Sequence, residues 1–125
     1  MNNSVVKILL ADDQPANLDV LGDLLESQGY DVLLTPNGKL ALRTATRALP
    51  DLILLDVMMP DMDGFETCQA LKANADTASI PVIFITALTA ESDVVQGFEV
   101  GGVDFITKPF NDKEVISRVE THLRI

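Results

Sequence analysis

Short runs dense in Val, Ile, Leu and Phe recur five times along the chain, over residues 5–10, 30–34, 52–55, 82–85 and 103–106, and each has the length of a β-strand. The first, third and fourth are almost continuously apolar, the pattern of parallel strands covered on both faces. The second and fifth are more mixed, as edge strands are. Segments with helical spacing lie between the runs. In the first, Leu18, Leu21 and Leu25 share a face while Asp19, Asp23 and Glu26 occupy others, with Pro15 suited to the first turn and Gly29 to the C-terminal cap. In the second, after Asn37-Gly38, Leu42, Ala45 and Leu49 fall on one side and Lys39, Arg43 and Arg47 on the other. The third carries Phe65, Cys68 and Leu71, the fourth spans 90–98, and the fifth carries Val115, Ile116, Val119 and Leu123. A βα unit repeated five times, joined by right-handed crossovers, predicts an α/β, doubly wound five-stranded parallel sheet with helices on both faces, built as a single domain over 1–125.

Composition narrows the function classes. Nine Lys plus Arg stand against nineteen Asp plus Glu, a net charge of −10, which argues against DNA or RNA binding by the domain itself. Apolar residues make up 47% of the chain, enough for a core that disordered acidic chains lack. The longest apolar runs fall far short of the roughly 20 residues of a membrane helix. The N-terminus has no basic region followed by a long apolar stretch, so the expected location is cytoplasmic. The single cysteine, Cys68, excludes an internal disulfide and a cysteine-built zinc site.

In open parallel sheets ligands bind outside the carboxyl ends of the strands. The residues there are Asp12 and Asp13 after the first strand, Asp56 after the third, Thr86 after the fourth, and Lys108 and Pro109 after the fifth. The Ala11-Asp12-Asp13-Gln14-Pro15 stretch has no glycine-rich phosphate loop, which disfavours nucleotides and flavins. Carboxylates crowded in a crevice hold their protons unless a cation sits among them. Mg²⁺, a hard ion that prefers oxygen ligands and binds together with phosphate, is the natural candidate. Three carboxylates and one ammonium leave a charge of −2 that a divalent ion cancels, so a phosphoryl group can approach Asp56 as a carboxylate nucleophile.

Four stretches, in order, then carry a resemblance over essentially the whole chain. They are Lys7-Ile8-Leu9-Leu10-Ala11-Asp12-Asp13, then Leu54-Leu55-Asp56-Val57-Met58-Met59-Pro60-Asp61-Met62-Asp63-Gly64, then Thr86-Ala87, and finally Lys108-Pro109-Phe110. The chain resembles the chemotaxis-regulator-like receiver domain of bacterial two-component response regulators. The resemblance implies strand order 2-1-3-4-5 in a flavodoxin-like three-layer sandwich with five helices. It implies Asp56 as phosphoacceptor, and Mg²⁺ held by Asp12, Asp13, Asp56 and the backbone carbonyl of Met58. It implies Thr86 and Lys108 on the phosphoryl group, Phe105 as a switch aromatic that turns inward as Thr86 moves, structural roles for Gly64 and Pro109, and a cis Lys108–Pro109 bond. The implied partners are a sensor histidine kinase or histidine phosphotransfer protein and an output domain or downstream protein, and the helix 4–strand 5–helix 5 surface, which rearranges, admits a homodimer. The ending at Thr121-His122-Leu123-Arg124-Ile125 resembles receivers joined to kinase or cyclic-dinucleotide modules.

Two other classes compete. Haloacid-dehalogenase-like phosphohydrolases also form an aspartyl phosphate, but on D-x-D-x-T after the first strand, whereas Asp56 follows the third and no cap domain is present. A pseudo-receiver used only for protein interaction is expected to lose Asp56, an acidic-pair residue or Lys108, and all are present. Simpler roles are open at single positions. Asp12 and Asp13 could cap the first helix, and Lys108 could reach solvent. Thr89 is better placed than Thr86 to cap the fourth helix. Cys68 reads as a core thiol, His122 as solvated, and Lys39, Arg43 and Arg47 as a solvated face that is the only local positive patch. Met58 and Leu88 occupy positions that carry water-orienting polar groups in fast-dephosphorylating members, so a long-lived phosphorylated state is expected.

Overall fold

The computed structural model describes residues 5–123. Its elements alternate without interruption: β1 (Lys7–Ala11), α1 (Pro15–Glu26), β2 (Asp31–Thr35), α2 (Gly38–Ala48), β3 (Leu52–Leu55), α3 (Gly64–Ala73), β4 (Val82–Thr86), α4 (Glu91–Glu99), β5 (Asp104–Thr107) and α5 (Asp112–Leu123). All four ladders are parallel and the order is β2-β1-β3-β4-β5, the flavodoxin-like doubly wound arrangement.

Alternation along the central strands feeds two cores. Leu9, Ala11, Ile53, Leu55, Val82 and Phe84 point to one face, where α2 and α3 supply Ala41, Ala45, Phe65, Cys68 and Leu71. Ile8, Leu10, Leu52, Leu54, Ile83 and Ile85 point to the other, where α1 and α5 supply Leu18, Leu21, Leu25, Val115 and Val119. That is why β1, β3 and β4 read as continuous apolar runs: both of their faces are buried.

Boundaries follow the ladder rather than the hydrophobicity. Pairing begins at Lys7 opposite Asp31, so Val5 precedes β1 and is exposed. Thr35 joins β2 because its buried hydroxyl donates to the Leu10 carbonyl. Leu49 does not share the apolar side of α2: it is the helix C-cap, left-handed at φ 50° and exposed, while Ala41 and Ala45 bury the helix with Leu42 half-buried. At the end of α1 the C-cap is Ser27, and Gly29 takes the left-handed position (φ 90°) that turns the chain into β2. No helix among the described residues is long and apolar enough to cross a membrane. The ending at Arg124-Ile125 lies outside the described residues.

Candidate functional site

The site forms where the carboxyl ends of β1, β3, β4 and β5 meet. Asp12 follows β1 and Asp56 follows β3, with side chains almost sealed from solvent at 2% and 5% exposure. One lysine joins them: the Lys108 ammonium donates to Oδ2 of Asp12 at 2.9 Å and to Oδ2 of Asp56 at 3.1 Å. The other oxygens are also held, Oδ1 of Asp12 by the Gln14 N–H at 2.9 Å and Oδ1 of Asp56 by the Met58 N–H at 3.2 Å. Neither Asp12 nor Asp13 caps α1, whose N-cap is Gln14 without a side-chain cap bond; the Asp12 bond to the Gln14 N–H precedes the helix. Asp13 is exposed, and one oxygen from each of Asp12, Asp13 and Asp56 lies within 4.8 Å of the others. Three hard oxygen donors with a net deficit of positive charge suit a divalent cation of the Mg²⁺ type.

The local fold fixes Asp56 from below. Gly64, first residue of α3, donates its N–H to the Val57 carbonyl at 2.8 Å. A Cβ at that position would overlap the Asp56 carbonyl and lie 2.7 Å from the Val57 Cα, so α3 can approach the end of β3 only with glycine here. A capping box seals the same turn: Asp63 accepts from the Glu66 N–H, and Glu66 accepts from the Asp63 N–H.

Electrostatics follow from this crowding. Burial pushes the Asp56 carboxyl above its ordinary value, the neighbouring Asp12 pushes it further, and Lys108 and the Met58 N–H only partly offset them. For Lys108 burial works downward, but its hydrogen bond to Asp12 and the charge and hydrogen bond of Asp56 prevail and raise it, so the ammonium stays charged.

Thr86 ends β4 fully buried, and its hydroxyl accepts from the Leu88 N–H at 3.3 Å. Neither Thr86 nor Thr89 caps α4, whose N-cap is Ala90 without a side-chain bond. The Lys108–Pro109 bond is cis. A cleft of about 420 Å³ lined by Asp13, Gln14, Asp56, Met58, Thr86, Ala87 and Lys108 opens above these groups. Met58 stands at its mouth with its side chain 59% exposed, whereas Leu88 turns away and packs against the core on the α2–α3 face. Phe105, at the second position of β5, is half-buried with its ring 5.3 Å from Phe84 and 6.3 Å from Phe98. It rests on α4 at Gly97, where a Cβ would overlap the ring.

Two residues outside the site depart from or extend the expectation. His122 is not a solvated histidine: its Nε2 lies 3.0 Å from Oδ2 of Asp104, whose two oxygens also accept from the single Nη1 of Arg118 at 2.9 and 3.0 Å. The signal that could have exposed this cluster is the i, i+4 ladder Glu114, Arg118, His122 on one face of α5. Cys68 is the core thiol expected; burial pushes it up to about 11.

Known proteins share this arrangement. The family model for the response regulator receiver domain matches residues 8–120. The chain is 47% identical over 118 residues to the response regulator PleD of Caulobacter vibrioides, covering 94% of this chain but 26% of PleD. Other curated relatives are also longer, and the chain spans about half the length of the transcriptional regulator RpaA of Synechocystis, 49% of it. Among solved structures, the receiver domain of a signal transduction histidine kinase from Syntrophus aciditrophicus superposes with a TM-score of 0.88 at 41% identity, covering 95% of this chain and 90% of that one. The receiver domain of the sensor histidine kinase PA1611 of Pseudomonas aeruginosa, described with a magnesium ion coordinated in its active-site cleft, gives 0.89 at 31% identity over 96% of this chain and 98% of that one. With the sheet order, the strand-end carboxylates and these matches in agreement, the chain belongs to the response regulator receiver domain family.

Proposed function

We propose that this domain is a phosphorylation switch in which Asp56 takes a phosphoryl group from the phosphohistidine of a sensor histidine kinase or histidine phosphotransfer protein. The observation that carries the reading is a buried carboxylate at the end of β3 that shares one lysine with Asp12 and sits under an open cleft. An Asp56 oxygen attacks phosphorus, an O–P bond forms, the P–N bond to the donor imidazole breaks, and the electron pair leaves with the imidazole. Lys108 follows the charge from the carboxylate to the phosphoryl oxygens, and the Thr86 hydroxyl is placed to turn toward them. The product is an acyl phosphate, which water later hydrolyses.

Asp12, Asp13 and Asp56, with the Met58 carbonyl, would hold Mg²⁺, as the carboxylate cluster and the magnesium-bound PA1611 receiver domain support. Bound there, Mg²⁺ cancels the residual charge of the site and polarises the phosphoryl oxygens. The domain acts on itself and has no separate substrate. Movement of Thr86 and Phe105 alters the α4–β5–α5 surface, read by an output domain, a downstream protein or a second copy of the chain. The whole of 1–125 acts as one receiver unit. Incubation with acetyl phosphate and Mg²⁺ followed by intact mass tests the reading. A single phosphoryl increment that disappears in Asp56→Ala is expected; no increment, or one that survives that substitution, refutes it.

A further inference from the structure

One feature of α2 is left unused by the phosphorylation chemistry. Lys39, Arg43 and Arg47 form an exposed row at i, i+4 and i+8, and none of the three makes a salt bridge among the described residues. Arg47 suits the last turn of the helix, but Lys39 stands in the first turn, against the positive end of the helix dipole, and both successive pairs are like-charged at i, i+4. The row borders open space. A cleft of about 590 Å³ runs between the start of α2 and the β3–α3 loop and is lined by Lys39, Arg43, Leu40, Pro60 and Met62; a second, of about 420 Å³, runs between the end of α2 and α3 and is lined by Arg43, Arg47, Ala70 and Asn74. Arg43 borders both, so the two make one groove along α2 with a basic wall.

We propose that the α2–α3 groove docks an acidic segment of a partner protein. With the three charges of the row set aside, the chain's net −10 becomes −13, so the groove is a local basic strip on a strongly acidic molecule. A short acidic segment fits within that strip. A nucleic acid or a bilayer, charged over a wider footprint, overruns it onto acidic surface. The groove also sets a direction. Asp13 and Asp61 line its upper end together with Pro60 and Met62, so that end takes an uncharged, apolar part of the segment, and the Asp and Glu side chains lie beside Arg43 and Arg47. The groove shares Asp13 with the cleft over Asp56 at its upper end, but Arg43 and Arg47, which take the acidic side chains, lie outside that cleft.

The test is amide chemical-shift mapping on the full chain with a synthetic peptide carrying an apolar residue followed by Asp or Glu every fourth position. The Asn/Gln version of that peptide, a DNA duplex and vesicles containing phosphatidylserine are run in parallel. Shifts confined to α2, α3 and the β3–α3 loop are expected for the acidic peptide alone. Affinity should fall about tenfold in Lys39→Ala/Arg43→Ala/Arg47→Ala and further with added salt. The three side chains are exposed, so unchanged circular dichroism certifies the variant's fold. No binding at millimolar peptide, shifts centred elsewhere, or affinity indifferent to the triple substitution overturns the proposal. Equal binding of the duplex or the vesicles at the groove overturns it as well, by making the strip a general anion patch.

Discussion

Replacing Asp56 by Asn should make the metal-free protein more stable, although it removes an ion pair. At an effective dielectric of about 20, Lys108 at 3.1 Å attracts the Asp56 carboxylate by about 5 kcal/mol. Asp12, whose oxygen lies within 4.8 Å, repels it by about 3.5 kcal/mol, and the exposed Asp13 adds a smaller share screened by water. These nearly cancel. What is left is the cost of burying a carboxylate, several kcal/mol, against one charge-assisted hydrogen bond from Met58 worth about 1.5–3 kcal/mol. An amide of the same shape keeps the Met58 bond and sheds the charge, a gain of about 2 kcal/mol and a rise in Tm of about 8 °C for a domain of this size. The sign with pH follows from the raised Asp56. The wild-type carboxyl is neutral in both folded and unfolded states below its ordinary range, so the two proteins unfold alike there; the deficit opens as pH rises above the ordinary value and is complete once the elevated value is passed. Thermal unfolding in EDTA across that range, repeated with Mg²⁺, measures both effects. Mg²⁺ should raise the wild type more than the variant and narrow the gap. An Asn variant less stable than wild type in EDTA at neutral pH would show that Lys108 more than offsets the burial of Asp56 and would refute the reasoning.

Gly64→Ala drives a methyl into the backbone of Asp56 and Val57, so a loss of about 3 kcal/mol in urea unfolding is expected, together with slower acetyl phosphate labelling. Met58→Asn places a polar group at the mouth of the cleft and should shorten the phosphorylated half-life on the order of tenfold, while Leu88→Glu should do less because that side chain packs away from the site; equal half-lives in wild type and Met58→Asn count against shielding. Burial works to raise the Asp104 carboxyl, but its bonds to His122, the Phe105 N–H and Arg118 hold it below its ordinary value, so its contribution is present above the ordinary value and lost as pH falls through the depressed one. Asp104→Asn should therefore cost about 1 kcal/mol at neutral pH, the Arg118 side being open to water, and nothing in strong acid.

The candidate site was legible in the sequence because a parallel sheet places its chemistry at strand ends. Once the apolar runs are located, Asp12, Asp13, Asp56, Thr86 and Lys108 are the next residues along. The third strand needed no correction, since both ends of residues 52–55 are marked by polar neighbours. What escaped depends on tertiary approach. Asp104 meets Arg118 and His122 only because α5 packs back along β5; the i, i+4 ladder on α5 lines up Arg118 with His122 but does not point to Asp104 on the neighbouring strand. Leu49 reads as an apolar helical position, yet the chain needs a left-handed turn there to reach β3. The requirement for glycine at position 97 likewise appears only when the Phe105 ring is seen lying against α4.

That contact sets the mechanical character of α4. Gly97 is its only fully buried residue, Val95 and Phe98 are about half exposed at 49% each, and no side chain caps its first turn. The other helices lock through interdigitated side chains, which resist sliding. At Gly97 the Phe105 ring meets bare backbone with no side chain to interlock, so this contact offers little resistance to sliding. The helix with the fewest buried residues thus follows Thr86 in the chain, and its amides should exchange faster than those of the other four helices.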